Sequence, residues 1–238
     1  QRIELTKRFK KIDPMSFDDF VNFEGYKMFE KALFSLEPEQ IIEEVTLSRI
    51  TGRGGANFPT SMKMKSFSKM EGLKYIVCNA DEGEPGNFKD RYLMENDPHQ
   101  ILEGILISAF ATGATKGFIY IRGEYQKAIM IMKRATREAR KNGYLGSQLF
   151  GTDFSFDVEI RRGAGAYVCG EEFALIESIE GKPGRTRVKP PFPSECGVFN
   201  LPTLINNVET FCNKIYSFYK SGAQTDYFYL YCCMCKEK

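Results

Sequence analysis

Short apolar runs alternate along this chain with longer segments of helical periodicity. Tyr75 to Cys78 and Gly117 to Ile121 are continuous apolar runs of strand length, as is typical of strands covered on both faces. The segments from Asp97 to Ala111 and from Tyr125 to Lys141 instead place apolar residues at helical spacing. Because parallel strands need a crossover between them, this alternation predicts a three-layer α/β domain with a mainly parallel sheet.

A third strand and a further helix continue the pattern. Phe156, Val158 and Ile160 alternate with charged residues, which predicts a half-exposed edge strand. A helix is expected from about Gly170 to Ile179. Residues 1–50 are predicted to be mostly helical, and residues 223–238 resemble neither segment. We therefore divide the chain into a helical segment at 1–50, an α/β domain at 51–222 and a divergent or frayed tail at 223–238.

Composition excludes several classes of function. The 238 residues are 42% hydrophobic and carry a net charge of only +2, which gives no overall field for nucleic acid. The most apolar of the long segments, Ile101 to Thr112, contains Glu103 and is too short to span a bilayer. We therefore expect neither nucleic-acid binding nor membrane insertion. The first residue is Gln1, which leaves open that the chain is a fragment.

The cysteines do not predict a metal site. Seven are present with a single histidine, His99, and without a secretory signal, so a reducing compartment is expected. Cys232, Cys233 and Cys235 cluster near the end, but their spacing matches known zinc or iron–sulfur patterns poorly. We interpret this tail as a reduced, frayed terminus and predict no bound metal. A metal module built on the tail is the alternative.

Glycine-rich and acidic loops follow the first and third predicted strands. They are NADEGEPG, which begins at Asn79, and GAGAYVCG, which begins at Gly163. Ligands on parallel sheets bind outside the carboxyl ends of the strands, where both loops are expected. Neither Gly163-x-Gly165 nor Gly52-x-Gly54 completes a dinucleotide fingerprint, because Val168 and Asn57 stand at the third positions. Taken alone, the glycine pairs indicate tight turns and the acids a surface turn.

Three segments together resemble one known family. They are GRGGANFPT from Gly52, NADEGEPG from Asn79, and the long stretch from Gly163 to Thr210. The chain resembles the flavoprotein subunit of respiratory complex I and its relatives in NAD-linked hydrogenases and formate dehydrogenases. The likeness runs from about Ile3 to Gly222 and covers only the N-terminal, flavin-binding part of that family. It implies a Rossmann-like domain at 51–222 that binds FMN and NADH.

The resemblance also assigns roles to individual residues. Each has a plainer alternative: the glycines in turns, the phenylalanines in a core, the acids at helix starts and the asparagines as helix caps. The implied FMN contacts are Gly52, Gly54, Lys63, Asn79, Asp81, Glu82, Tyr167, Gly170, Glu171, Asn206, Asn207 and Thr210. The implied NADH contacts are Gly55, Phe58, Phe67, Glu84, Glu172, Lys189 and Phe192.

The implied reaction is hydride transfer from NADH to FMN, a chemistry of the cofactor that needs no catalytic triad. Partners would be other subunits of an electron-transfer complex, including a thioredoxin-like [2Fe–2S] subunit. The family's [4Fe–4S] domain and ubiquitin-like domain are not recognised in this sequence. The expected location is the cytoplasm, or the matrix of a mitochondrion-like organelle, peripheral to a membrane if part of complex I.

An inert nucleotide-binding module is the alternative to this function. Phe173 stands where the family usually has threonine, and Ser61 where it has glycine. The segment from Met62 to Phe67 is one residue longer than usual and lacks a tryptophan, with the extra residue placed at Met64. These departures, together with the missing C-terminal half, favour a truncated module without electron transfer. They leave the flavin interpretation preferred, since the ligand positions persist in three separate segments.

Overall fold

A parallel sheet lies at the centre of the fold. The computed structural model describes residues 5–217, and its strands run in the order β3-β2-β1-β4. All neighbouring strands pair in parallel, which confirms the predicted sheet. The strands are β1 Tyr75–Ala80, β2 Lys116–Ile121, β3 Asp157–Arg162 and β4 Thr203–Asn207.

Helices surround the sheet and also form most of the N-terminal part. They are α1 Phe17–Asn22, α2 Lys27–Ser35, α3 Pro38–Leu47, α4 Thr60–Ser68, α5 Lys89–Asn96, α6 Pro98–Thr112, α7 Gln126–Lys141, α8 Glu172–Ile179 and α9 Val208–Ser217. The helix predicted from Asp97 to Ala111 is confirmed as α6, which ends before Gly113 because Gly113 adopts the left-handed conformation at φ 70°. Helices α4 and α5 were not predicted.

The two faces of the sheet bury separate cores. Along β1, Ile76 and Cys78 belong to a large core that also contains residues of α6, α7 and α9. Tyr75 and Val77 point the other way, into a smaller core that includes Phe173 and Leu175 of α8. This alternation is the period of two that a strand imposes. The predicted three-layer α/β architecture is therefore confirmed.

Strand β4 corrects the prediction at one important place. Asn206 and Asn207 were expected to begin the last helix, but they are the final residues of β4, and α9 starts at Val208. The run from Thr203 to Ile205 is too short and too mixed to be distinguished from a loop by periodicity. Because β4 lies beside β1 while β2 lies on the other side, the strand order reverses between β1 and β4. Ligands bind at such switch points in open parallel sheets.

Buried polar contacts join the N-terminal helices to α6. Glu103 accepts hydrogen bonds from the backbone N–H groups of Met28 (3.0 Å) and Phe29 (3.3 Å) at the start of α2. The Tyr26 hydroxyl lies 2.8 Å from His99 Nδ1. Leu33, Ile41 and other residues of α2 and α3 pack into the same core as α6. The N-terminal helices and the α/β part therefore share one hydrophobic interior.

Candidate functional site

Loops from three separate parts of the sequence meet at the carboxyl edge of the sheet. In the strand register Asn79 lies opposite Asn207, so the ends of β1 and β4 are adjacent. A Cβ atom placed on Gly54 would lie 3.5 Å from the Asn207 Cβ, which brings the Gly52 loop to the same place. The Asn79 amide donates to the Gly170 carbonyl at 2.9 Å. The structure thus brings together the segments on which the predicted site depends.

Asn79 joins the strand to the loops on either side of it. It was expected in the loop after the strand, but β1 extends through Ala80 and so includes it. Its Oδ1 accepts a hydrogen bond from the Asp81 N–H at 3.1 Å, while its amide donates to Gly170. The side chain is therefore a structural bridge between the acidic loop and the turn before α8.

Asp81 has a carboxylate oxygen without a protein partner. Its Oδ2 is buried and makes no hydrogen bond within the described residues. Burial raises the pKa of this carboxyl to about 6, although the nearby Arg122 guanidinium opposes the shift. A buried polar atom normally has a hydrogen-bond partner. An atom that lacks one at the carboxyl edge of a sheet is suited to accept a hydrogen bond from a ligand.

The carboxylate of Glu82, two residues beyond Ala80, is already hydrogen-bonded within the protein. Its carboxylate accepts hydrogen bonds from the N–H groups of Asp90 (3.0 Å) and Arg91 (3.1 Å). It therefore caps the first turn of α5 and is only 5% exposed. Burial, together with the neighbouring Asp90 charge, raises the pKa of Glu82. The implied contact of Glu82 with FMN stays a prediction, and the side chain already has a structural role.

Tyr167 connects the glycine-rich turn to the acidic loop. Its phenol hydroxyl donates to Glu84 Oε1. A Cβ atom on Gly83 would lie 2.9 Å from the Tyr167 ring, so the ring packs directly on the loop backbone. Tyr167 is nevertheless 66% exposed. The two residues predicted for the flavin side and the nucleotide side therefore contact each other at the rim of the site.

Glu171 is the N-cap of α8. Its Oε2 accepts hydrogen bonds from the N–H groups of Phe173 (2.9 Å) and Ala174 (3.0 Å). The helix consequently begins at Glu172 rather than at Gly170, and residues Tyr167–Gly170 form a single 3₁₀ turn before it. The expected structural role of an acid at this helix start is confirmed.

Glu172 lies between two lysines that come from different segments. Lys63 Nζ of α4 approaches Glu172 Oε1 at 2.6 Å, and Lys189 Nζ approaches Oε2 at 3.2 Å. Lys63 also donates to the Ile205 carbonyl of β4 at 3.0 Å. Burial alone would raise the pKa of Glu172, but the two lysines outweigh it and lower the pKa. The carboxylate is therefore ionised, and Lys63 is oriented by both α8 and β4.

The junction of β4 and α9 brings together Asn206, Asn207 and Thr210, three of the FMN contacts that the resemblance implied. Asn207 Oδ1 accepts a hydrogen bond from the Glu209 N–H at 3.0 Å. Thr210 Oγ1 accepts one from the Arg53 N–H at 2.9 Å, which attaches the Gly52 loop to the helix. Asn206 is mostly buried. Helix N-termini bind anions well, since their first N–H groups point outward.

Sequence reasoning missed Lys89 at this helix end. Its Nζ lies 3.0 Å from Asn207 Oδ1 and 3.2 Å from Glu209 Oε2. It also pairs with Asp90, whose other oxygen accepts a hydrogen bond from the Asn207 amide. Lys89 lies 118 positions before Asn207, so no local pattern could reveal the contact. The result is a charged cluster around the start of α9.

The three predicted nucleotide-stacking phenylalanines fall into two groups. Phe58 and Phe192 are 48% and 52% exposed, as stacking on a ligand requires. Phe67 is 0% exposed and belongs to the large core. Its burial supports the alternative interpretation as a core aromatic, and the implied contact of Phe67 with NADH stays a prediction. The residue lies on the buried face of α4 beside Met64.

The sequence departures do not block the site. Phe173 is buried in the smaller core, with the Arg187 guanidinium 5.4 Å from its ring centroid. Met64 is also fully buried, and Ser61 nearly so.

The loop that begins at Gly52 has an open conformation. Gly55 adopts φ +107° with no atom within 4 Å of an added Cβ, and Asn57 adopts φ 50°. The open, left-handed turn that the glycine-rich segment predicted is thus present.

Among residues 5–217, no group of three or more histidine, cysteine, aspartate or glutamate side chains is placed to bind a metal ion. Over the same residues, none of the helices has the length and apolar character needed to cross a bilayer. Cys232, Cys233 and Cys235, and the predicted tail at 223–238, lie outside the described residues.

Comparison with known proteins identifies close relatives. Residues 45–216 match the family described as the Nuo51 FMN-binding domain. The F component of the NADH-quinone oxidoreductase of Aquifex aeolicus is 50% identical over 209 residues, which cover 88% of this chain and 49% of that protein. The HndC component of the NADP-reducing hydrogenase of Solidesulfovibrio fructosivorans is 48% identical over 203 residues, which cover 85% of this chain and 41% of that protein.

A solved structure has the same fold. The crystal structure of an NAD⁺-reducing [NiFe]-hydrogenase in the H₂-reduced state superposes with a TM-score of 0.75 at 40% sequence identity. The match covers 82% of this chain and 33% of that one. The chain spans about half the length of the curated relatives that it matches, 49% in one case and 41% in another.

Proposed function

Because the chain belongs to the Nuo51 FMN-binding domain family, we propose that it binds FMN at the carboxyl edge of its sheet and transfers hydride from NADH to it. The observation that carries this proposal is the meeting of the Gly52, Asn79 and Gly170 segments at the β1–β4 switch point. Parallel sheets bind nucleotide cofactors at such a point.

The residues at this edge fit the parts of FMN. Asp81 Oδ2 is buried without a partner and suits a ribityl hydroxyl as donor. The start of α9, with Thr210 and the nearby Lys89 ammonium, suits the phosphate. Gly54 and Gly170 let the backbone approach a flat ring, since a side chain at either position would occupy that space. Lys63, fixed by Glu172 and Ile205, would lie beside the ring.

The chemistry of the reaction would come from the cofactor. Bound FMN supplies a ring that takes up the hydride, and NADH is released as NAD⁺. The protein contributes binding, orientation and charge rather than a proton-transfer group. Phe58 and Phe192 are exposed where a nucleotide base could stack on them, and Lys189 offers a cation for a nucleotide phosphate. Glu84 and Gly55 complete the nucleotide side in this proposal.

The carboxylate of Glu172 would favour NADH over NADPH. A 2′-phosphate near an ionised carboxylate is repelled, as it is by the acidic residue of Rossmann sites. The lowered pKa of Glu172, caused by Lys63 and Lys189 in spite of burial, keeps that negative charge at neutral pH. The same two lysines reduce its net effect, so the preference would be finite rather than absolute.

Electrons would leave through other subunits. Relatives of this chain carry the names of subunits of NADH-quinone oxidoreductase and of NAD-reducing hydrogenase. We therefore propose an assembly with iron–sulfur subunits, including a thioredoxin-like [2Fe–2S] subunit, located in the cytoplasm or in an organelle matrix and peripheral to any membrane complex. Which final acceptor is used would depend on that assembly.

A nucleotide-binding module without electron transfer is the second candidate. The observation that favours it is that Glu82 and Glu171, two of the implied FMN contacts, are already engaged in capping α5 and α8. Phe173 no longer favours it, because its ring lies in the smaller core rather than in the site.

The visible spectrum of the FMN-reconstituted chain separates the two candidates. Bound flavin that bleaches when NADH is added under anaerobic conditions would support the oxidoreductase. Bound flavin that stays oxidised would support the inert module, and absence of bound flavin would contradict the proposal. Asp81→Asn, which turns one acceptor oxygen into a donor, should weaken FMN binding roughly tenfold. Asp153→Asn, at an exposed position, should leave it unchanged.

A further inference from the structure

A single buried tyrosine connects the glycine-rich turn to α8 beneath the proposed site. Tyr120 is the penultimate residue of β2 and lies in register with Asn79 of β1. Its ring points into the smaller core, opposite the face that carries Ile119 and Ile121. It is 1% exposed, so it does not line the site surface. Nothing in the sequence pattern distinguishes it from an ordinary core aromatic.

The Tyr120 hydroxyl has a partner on each of two elements. It accepts a hydrogen bond from the backbone N–H of Ala164 at 3.1 Å, within the turn from Gly163 to Gly165. It also lies 2.8 Å from Ser178 Oγ on α8. Helix α8 carries Glu172 at its first position. One hydroxyl therefore connects the turn to the helix that presents the site carboxylates.

The glycine at position 163 is explained by the same ring. A Cβ atom there would lie 3.1 Å from Tyr120 Cε1 and 3.1 Å from the Ile121 carbonyl oxygen. Both distances are shorter than ordinary carbon contacts. The turn thus rests directly on the phenol ring, and the Ala164 N–H is directed at the hydroxyl.

We propose that Tyr120 is a positioning residue, which sets the place of the Gly163–Gly165 turn relative to α8 and thereby the shape of the FMN site. The part that concerns FMN rests on the proposed function above. Tyr120 acts through Ala164 and Ser178 and touches no ligand itself.

The properties of the phenol agree with this role. Burial raises the pKa of Tyr120 to about 12, so its proton is present throughout the physiological range. A neutral hydroxyl can donate one hydrogen bond and accept another. Here it accepts from Ala164 and is within donating distance of Ser178. Removing the oxygen would take away the acceptor that the fold provides for the Ala164 N–H, so the turn would lose its hydrogen bond to β2.

Amide hydrogen exchange of the ligand-free protein tests the positioning role directly. In Tyr120→Phe the ring still fills the core, while the acceptor for Ala164 is lost. We expect the Ala164 amide to exchange at least roughly tenfold faster than in the wild type. In Ser178→Ala the bond from Ala164 remains, so its exchange should stay close to that of the wild type. Unchanged exchange at Ala164 in Tyr120→Phe would overturn the proposal.

Tyr75→Phe is the matched control. Tyr75 faces the same smaller core but lies at the opposite end of the sheet, at the start of β1. The same loss of a hydroxyl there should leave both the turn and FMN binding unaffected. If the Ala164 amide exchanges as fast in Tyr75→Phe as in Tyr120→Phe, any change in this core loosens the turn. That result would also overturn the proposal.

FMN titration tests the second part. Tyr120→Phe should bind FMN roughly tenfold more weakly than the wild type, with a shifted visible spectrum of the bound flavin. If the turn loosens but affinity and spectrum are those of the wild type, the link to the FMN site is wrong. If the wild type itself binds no FMN, the proposed function fails, while hydrogen exchange still decides whether Tyr120 positions the turn.

Discussion

Lys63 and Glu172 form an ion pair of 2.6 Å between α4 and α8, and Lys189 approaches the second oxygen of the same carboxylate at 3.2 Å. Two cations thus share one anion at the mouth of the proposed site. Glu172 is 29% exposed, so solvent screens the pairs and their contribution to stability is small. In the proposed function their effect is local, because they would set the charge that an incoming nucleotide meets.

Glu172→Gln should change the nucleotide preference. Without the carboxylate, Lys63 and Lys189 would present positive charge to a 2′-phosphate instead of a partly neutralised cluster. We expect the ratio of kcat/KM for NADPH to that for NADH to rise about tenfold, which corresponds to about 1.4 kcal/mol. Steady-state kinetics with both nucleotides measure it. The exposed Glu43→Gln on α3 should leave the ratio as it is, and an unchanged ratio in Glu172→Gln would contradict the assignment.

Phe67→Ala and Phe58→Ala should affect different properties: the first should lower stability, and the second should weaken the binding of NADH. Phe67 is fully buried in the core, so its truncation should lower the free energy of unfolding by about 3–5 kcal/mol. Phe58 is 48% exposed, so its truncation should change stability by less than about 0.5 kcal/mol. The loss of a stacking surface should instead raise the KM for NADH about tenfold. Urea unfolding and steady-state kinetics test the pair, and a stable Phe67→Ala protein would refute the core assignment.

Gly104→Ala should disturb the contact between α6 and α9. A Cβ atom at this position would lie 2.2 Å from the Phe211 carbonyl oxygen, a backbone atom that cannot move alone. We expect a loss of about 3 kcal/mol in the free energy of unfolding, measured in urea. Gly52→Ala is the control, since its Cβ would lie 3.5 Å from the nearest atom. Equal stability of the two variants would show that α6 and α9 are less closely packed.

Glu103 should make stability fall as the pH rises. Burial raises the pKa of this carboxyl from 4.5 to about 7, although Arg8 and the N–H groups of α2 oppose the shift. The folded state therefore keeps a proton that the unfolded state releases between pH 4.5 and pH 7. The stability that the retained proton gives to the folded state is fully present below pH 4.5 and is lost as the pH approaches 7.

Glu103→Gln isolates that contribution from other titrating groups. The amide oxygen can still accept from Met28 and Phe29, but it does not ionise. Between pH 4.5 and pH 7 the wild type should lose on the order of 3 kcal/mol relative to Glu103→Gln. Urea unfolding at several pH values measures the difference. If the free energy of unfolding depends on pH in the same way in both proteins, burial does not raise the pKa of Glu103.

The layers of the fold could be predicted because local patterns determine them. The runs Tyr75 to Cys78 and Gly117 to Ile121 are buried along their whole length, as their apolar sequence predicts. Pro98 and Gly113 mark the ends of α6 through their own backbone preferences. Asn206 and Asn207 were assigned to the last helix, but they end β4, and Asn207 caps α9 from that position because its Oδ1 accepts from the Glu209 N–H. Only pairing with β1, distant in sequence, makes them the end of a strand.

The site was predicted as a set of residues but not as a set of contacts. Asp81 and Glu82 are adjacent and chemically alike, yet one has a buried oxygen without a partner and the other caps α5. Lys89 and Tyr120 reach the site region through contacts with residues far away in the chain. Such differences depend on tertiary packing, which no spacing of residue types encodes.

Strand order has a consequence for how the protein is synthesised. Strands β1, β2 and β3 can pair as they leave the ribosome, since each neighbours the next. The other edge of β1 waits for β4, because Tyr75 pairs with Thr203. Until then the nascent chain presents an open strand edge of the kind that promotes aggregation. The β1–β4 pairing is therefore among the last parts of the described chain to form, and a ribosome that stalls before Thr203 leaves a product with an exposed strand edge.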